Sequence, residues 1–78
     1  MYSCIKKVTF SRTGFPDLII REMKDDISNT ITFEMRGGKS NHVQSGYSWH
    51  IIQNEALDTY RRWMVSLPEN TTVKIENF

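Results

Sequence analysis

The strongest periodic signal in the chain lies in residues 54–68, NEALDTYRRWMVSLP. Asn54 is a suitable N-cap, and Pro68 ends the segment because proline disfavours the α conformation in the residue before it. We therefore predict an amphipathic helix between these two residues. Its apolar stripe recurs at helical spacing and is predicted to lie in the core: Ala56, Leu57, Tyr60, Trp63, Met64 and Leu67.

The segment before the first turn signal has the alternation of a β-strand. In residues 2–11, Tyr2, Cys4, Val8 and Phe10 are predicted to lie on one face of the strand. Lys6 falls on the same apolar face. Because an inward lysine discourages pairing between sheets, this pattern favours an edge strand.

Further strands are predicted at residues 17–23, 30–36 and 71–78, separated by polar or glycine-rich turns. The short connections favour antiparallel neighbours. Residues 37–52 could add one more short strand. The expected fold class is α+β, in the order β-β-β-(β)-α-β: a small antiparallel sheet of four to five strands with one helix packed on one face.

Composition sets limits on what the chain can be. Its 78 residues carry a net charge of +1 and one cysteine, Cys4. A chain of this length builds one modest core, so residues 1–78 are expected to form a single domain. A lone cysteine and no long apolar run favour a cytoplasmic protein without a membrane segment. The near-neutral charge argues against extensive nucleic-acid contact.

Gly38-Lys39-Ser40 matches the end of a phosphate-binding loop, which needs another glycine at position 33 and a helix after the serine. Position 33 is Phe33, within a predicted strand, and no helical pattern follows Ser40. We expect a β-turn here and no nucleotide cofactor.

Metal binding and catalysis have little support in the residue pattern. His42 and His50 match no zinc-ligand spacing. Cys4 on a strand lacks the helix N-terminus or clustered cations that activate a thiol. We expect no metal, no catalytic residue and no enzymatic activity.

Tyr47 and Trp49 alternate with polar residues and have two interpretations. With Ile51 they could pack under the helix. Alternatively, they are exposed beside Arg36 and Lys39, where an aromatic and basic surface suits base stacking or a protein-binding hot spot.

Residues 63–77 contain W-x-x-x-L-P followed by I-E-N, and Gly38-Lys39-Ser40 follows the third strand. In these motifs, in its length and in its strand and helix order, the chain resembles the small type I-F anti-CRISPR proteins of bacteriophages. Other small phage inhibitors have a comparable layout. The resemblance implies a non-enzymatic inhibitor that covers a functional surface of a host protein or ribonucleoprotein complex in the host cytoplasm.

The expected mechanism is steric occlusion by a monomer or homodimer, with aromatic and basic anchors on a sheet or loop. The alternatives are a single-strand nucleic-acid-binding domain, with weak contact through the sheet face around Tyr2, Lys7 and Tyr47, and a toxin–antitoxin-type regulator. The residues predicted to contact a partner are Tyr2, Lys6, Lys7, Arg36, Lys39, His42, Tyr47 and Trp49.

Overall fold

The protein is represented by a computed structural model that describes residues 1–37, 49 and 52–78. Over these residues the chain forms a four-stranded antiparallel sheet and one helix, which confirms the predicted α+β class. The segment that could hold an additional strand lies largely outside the described residues. The elements are β1 (Tyr2–Arg12), β2 (Leu18–Asp25), β3 (Ile31–Gly37), α1 (Gln53–Val65) and β4 (Thr71–Asn77).

The strand order across the sheet is β3-β2-β1-β4. Strand β1 is therefore central, and its prediction as an edge strand is wrong. Strands β1, β2 and β3 form a meander through short turns, which the sequence indicated. Strand β4 returns after α1 and pairs along the other side of β1, from Thr71 opposite Arg12 to Asn77 opposite Lys6. That pairing joins residues far apart in sequence, and local periodicity cannot predict which distant strands pair.

A β-bulge near the start of β1 changes which side chains share a face. The register with β2 runs from Cys4 opposite Met23 to Lys6 opposite Glu22, so Ile5 is an extra residue on β1. Partners in an antiparallel pair lie on the same face of the sheet. Tyr2 and Cys4 therefore lie on the face opposite Val8 and Phe10, which corrects the predicted alternation.

The two faces of the sheet are named from these registers. The helix face carries α1, and the far face is its opposite. The helix face includes Lys6, Val8, Phe10, Leu18, Ile20, Phe33, Met35, Val73 and Ile75. The far face includes Tyr2, Cys4, Lys7, Thr9, Ile19, Arg21, Met23, Thr32, Glu34, Arg36, Lys74 and Glu76.

The core lies between the helix face and α1. Val8, Phe10, Leu18 and Ile20 are all buried on the two middle strands. Trp63 packs on Phe10 in an edge-to-face arrangement, with ring centroids 5.1 Å apart. This geometry suits the charge distribution of aromatic rings and adds to the burial of apolar area.

The predicted apolar stripe of the helix is only partly in the core. Ala56 is fully buried and Tyr60 and Trp63 are half-buried, but Met64 is 41% exposed and Leu67, beyond the end of α1, is 42% exposed. Thr59 is buried instead, at 8% exposure. The helix therefore presents a narrower apolar face to the sheet than its sequence suggested.

The start of α1 differs from the prediction as well. The N-cap position is Ile52, without a side-chain capping hydrogen bond, so the prediction of Asn54 as the cap is wrong. Gln53 in the first turn accepts a hydrogen bond at Oε1 from the backbone N–H of Phe33, at 2.6 Å. Because β3 is an edge strand, this bond satisfies an outward backbone donor and ties the helix to the sheet edge.

Lys6 is accommodated on the helix face by Tyr60. Its Nζ donates a hydrogen bond to the Tyr60 hydroxyl at 3.1 Å and lies 5.6 Å from the centroid of that ring. This hydrogen bond is the main reason that the pKa of Lys6 is raised above its usual value. The inward lysine thus has a structural partner on α1.

The turn between β2 and β3 is organised by Asp25. Its carboxylate accepts hydrogen bonds from the backbone N–H and the hydroxyl of Ser28, both at 2.8 Å, and from the Met1 amine at 2.9 Å. The Ser28 backbone bond is the largest cause of the lowered pKa of Asp25. Asn29 follows in the left-handed region, at φ 59°, which asparagine tolerates.

We expect acid to destabilise the fold partly through Asp25. Its folded-state pKa is lowered, so its stabilising contribution is full above the ordinary pKa of about 4 and is lost as pH falls through the folded value. The Asp25→Asn variant should melt below the parent at pH 7, and the gap should narrow as the pH falls below about 4. Thermal melts across this range measure it, and Ser28→Ala should show part of the same effect. A gap that is equal at all pH values would contradict the assignment.

Gly37 ends β3 with a positive φ of 83°, and a Cβ added there would collide with the Asp17 carbonyl oxygen. Gly14 has a similar φ of 86°, but an added Cβ would meet nothing within 4 Å. Gly14→Ala should therefore cost about 1–2 kcal/mol of unfolding free energy, from backbone strain alone. We expect Gly37→Ala to cost more, about 3 kcal/mol or above, because steric overlap adds to the same strain. Equal losses in denaturant titrations of the two variants would show that the overlap is relieved.

Candidate protein-interaction surface

Charged residues of the far face form a row across all four strands. Glu34, Arg21, Lys7 and Glu76 are successive cross-strand neighbours on β3, β2, β1 and β4. The two basic residues lie in the middle, and each has an acidic residue on its outer side. The next row toward Gly37 begins with Arg36 on β3 and ends with Lys74 on β4. Opposite charges therefore meet between β3 and β2 and between β1 and β4 in the first row, and the second row has a basic residue at each end.

Trp49 lies on the far face, against two arginines. The guanidinium carbon of Arg21 is 3.7 Å from a Trp49 ring centroid and that of Arg36 is 4.5 Å away. Arg21 and Arg36 belong to adjacent strands and adjacent rows, so one indole spans both. The interpretation that Trp49 packs under the helix is therefore wrong. Trp49 lies beside Arg36, as the alternative predicted, but it is half-buried and not exposed. Planar guanidinium groups favour such contact with an indole.

A short ion pair fixes one of these arginines. The Nη2 of Arg21 donates to Oε1 of Glu34 at 2.6 Å, with the two side chains 25% and 13% exposed. Partial burial reduces solvent screening and strengthens the charge-assisted bond. The Arg21 side chain is thus held in place by the Glu34 carboxylate and by the Trp49 indole. We call Trp49, Arg21 and Arg36 the Trp49 cluster.

The predicted contact residues do not all share this surface. Tyr2, Lys7, Arg36 and Trp49 lie on the far face, with Tyr2 49% exposed. Lys6 lies on the helix face, where it donates a hydrogen bond to Tyr60, so it does not share this surface. Lys39, His42 and Tyr47 lie outside the described residues. Tyr2 and Lys7 lie on the same face because of the bulge at Ile5, since strict alternation would place them on opposite faces.

Arg21 and Glu34 were absent from the residues predicted from sequence. Both lie in predicted strands joined by a short connection, with opposite charges at positions that face away from the apolar side. Antiparallel pairing of those strands could have suggested the contact. The register needed to align position 21 with position 34 depends on the turn length, which residue patterns place only within a few positions.

Cysteine and acidic side chains are the groups of the described residues that could bind a metal ion or act as a nucleophile. Within residues 1–37, 49 and 52–78, no three histidine, cysteine, aspartate or glutamate side chains are grouped to hold a metal ion. The Cys4 thiol is half-buried and contacts the Lys6 carbonyl oxygen at 3.4 Å. Gly38-Lys39-Ser40, where a turn is predicted, and His42 and His50 lie outside the described residues, whereas Phe33 does belong to a strand, as predicted.

No family model, curated protein or solved structure matches the chain. The helix in the described part of the chain is too short and polar to cross a membrane.

The Arg21–Glu34 pair should be energetically coupled. Removing either partner leaves the other partly buried and unpaired, so Arg21→Met and Glu34→Gln should each cost about 1–3 kcal/mol of unfolding free energy. The double variant should cost clearly less than the two single losses together, which a double-mutant cycle by denaturant titration measures. Additive losses would show that the ion pair contributes no coupling.

Proposed function

We propose that this chain is a small non-enzymatic protein-binding inhibitor that disables a host complex by covering one of its functional surfaces. The Trp49 cluster on the far face is the observation that supports this proposal most directly. Tryptophan and arginine are the residues most enriched where binding energy concentrates in protein interfaces. Here the two types are in contact on one sheet face, with Lys7 in the same charged row as Arg21.

Preorganisation favours this role. Binding usually costs free energy because side chains with many rotamers become ordered. In the Trp49 cluster, Arg21 is already held by Glu34 and by the indole. The cluster stands on strands β2 and β3, whose other side packs in the core through Ile20 on β2 and Met35 on β3. A partner would therefore meet anchors whose positions need little adjustment.

The resemblance in sequence suggests what kind of target the protein has. The motifs shared with type I-F anti-CRISPR proteins suggest a bacteriophage protein that acts on a bacterial defence complex. Steric occlusion needs only a stable, complementary surface, and a domain of 78 residues can supply one of ordinary interface size. The proposed compartment is the host cytoplasm.

Single-strand nucleic-acid binding remains a second candidate because Tyr2 and Lys7 share the far face. Aromatic and basic residues on a sheet are the usual elements of such a surface. Two observations favour a protein partner instead. Two guanidinium groups already contact the Trp49 indole, and Glu34 and Glu76 bound the basic pair in the charged row. Acidic side chains there would repel a phosphate backbone.

An affinity pull-down from bacterial lysate, with and without nuclease and read by mass spectrometry, distinguishes these candidates. The inhibitor proposal predicts one dominant protein complex that is retained after nuclease treatment. Capture that disappears with nuclease, together with binding to a labelled oligonucleotide that weakens steeply with salt, would replace it with the nucleic-acid candidate.

We expect Trp49→Ala to weaken capture of that complex by about thirtyfold or more, the loss typical of a hot-spot residue. Met64→Ala is the matched control, because Met64 is a partly exposed apolar residue of α1, away from the far face. It should change affinity less than about threefold. Circular dichroism melts check that each variant is folded, and Lys7→Ala offers a second far-face variant that leaves the indole in place. Equal affinity of all three variants and the parent would exclude the far face as the contact surface.

A further inference from the structure

The outer edge of β4 is unlike the outer edge of β3. β4 is the last strand of the sheet and pairs with β1 on its inner side only, within the described residues. At the opposite edge, Gln53 accepts the outward N–H of Phe33. An edge strand with unpaired backbone groups is a template for another strand. The residues of β4 indicate which strand would fit.

One hydrogen bond shows which residues of β4 point their backbone N–H and C=O groups toward β1 and which point them outward. The N–H of Phe78 donates to the Ile5 carbonyl oxygen at 3.0 Å, so Phe78 directs its backbone groups toward β1. Direction alternates along an antiparallel strand. Val73, Ile75 and Asn77 therefore direct their N–H and C=O groups outward. The same alternation on β3 places the Phe33 N–H outward, where Gln53 is observed to accept it.

We propose that β4 pairs antiparallel with β4 of a second copy of this chain, about a two-fold axis at Ile75. In this register Ile75 pairs with Ile75 of the second copy, and Val73 pairs with Asn77. All three carry outward backbone groups, so each of these pairs can exchange hydrogen bonds. Lys74 of each copy then lies opposite Glu76 of the other, on the far face.

Charge selects this register over its neighbours. Moving the two-fold axis to position 74 places Lys74 opposite Lys74, and moving it to position 76 places Glu76 opposite Glu76. Like charges directly opposite each other destabilise a strand pair, whereas opposite charges stabilise it. Of these three symmetric registers, only the one centred on Ile75 makes both charged contacts favourable. A lysine on an edge usually opposes pairing, but here the second copy supplies its partner.

The exposed apolar side chains of β4 and of the residue after it also favour a second copy of the chain at this edge. Ile75 lies on the helix face and is 45% exposed. At the two-fold axis its side chain would meet the Ile75 side chain of the second copy, so both would lose contact with water. Phe78, which is 72% exposed, would lie opposite Thr72 of the second copy. Pairing would make one continuous sheet and place the two far faces side by side. The dimer is independent of the proposed inhibitor function.

Sedimentation equilibrium of the full chain tests the proposal. The parent should show a monomer–dimer equilibrium. Lys74→Glu converts both charged contacts to repulsions and should weaken the dimer by roughly tenfold or more. This variant is not expected to disturb β1, because Lys74 faces Thr9 there. Arg61→Glu makes the same charge change at an exposed position of α1 and should leave the dimer unchanged.

Exchanging the charges at positions 74 and 76 tests the proposed register directly. The double variant Lys74→Glu/Glu76→Lys restores both opposite-charge contacts and should recover the dimer. A mixture of Lys74→Glu with Glu76→Lys should form heterodimers in preference to either homodimer. Thermal melts confirm folding of Glu76→Lys, because Glu76 also faces Lys7 within the chain. A parent that is monomeric at every soluble concentration, a dimer insensitive to Lys74→Glu, or a failure of exchange to restore it would each overturn the proposal.

Discussion

Burial of Val8 and Phe10 on the central strand is the constraint on which the rest of the fold depends. Both residues are almost fully inaccessible, at 2% and 1% exposure. They lie on β1, one of the two middle strands, which pairs with β2 on one side and with β4 on the other. Trp63 reaches Phe10 from α1, so the same residue also positions the helix. Sheet pairing and helix packing are thus joined at one place, which suits a chain too short to build a second core.

The bulge at Ile5 separates structural from surface roles on β1. After the bulge, Lys6, Val8 and Phe10 lie on the helix face, and Lys6 is held by Tyr60. Before it, Tyr2 lies on the opposite face, which also carries Lys7. One inserted residue therefore moves an aromatic side chain away from the core. A bulge commonly redirects side chains in this way.

The two tryptophans show how the faces differ. Trp63 contacts Phe10 and stabilises the apolar core, whereas Trp49 contacts the guanidinium groups of Arg21 and Arg36. An indole can do either, because it combines a large apolar area with an electron-rich face. The charged rows of the far face and the outer edge of β4 meet at Lys74 and Glu76. A dimer through β4 would therefore extend the proposed binding surface and give two linked contacts to a repetitive target.

Local residue patterns were enough to predict the strands, the helix and the α+β class. Alternation in residues 30–36 and the helical stripe around Tyr60 and Trp63 depend only on near neighbours. The central place of β1, the bulge at Ile5, and the Trp49 and Arg21 contact depend on pairings between distant residues. The strand pairings place Val8 and Phe10 between neighbours on β2 and β4, and they set Arg21 opposite Glu34 and Lys7 opposite Glu76. The position of each surface residue is consequently a property of the assembled sheet, since a one-residue change of register moves every following side chain to the other face.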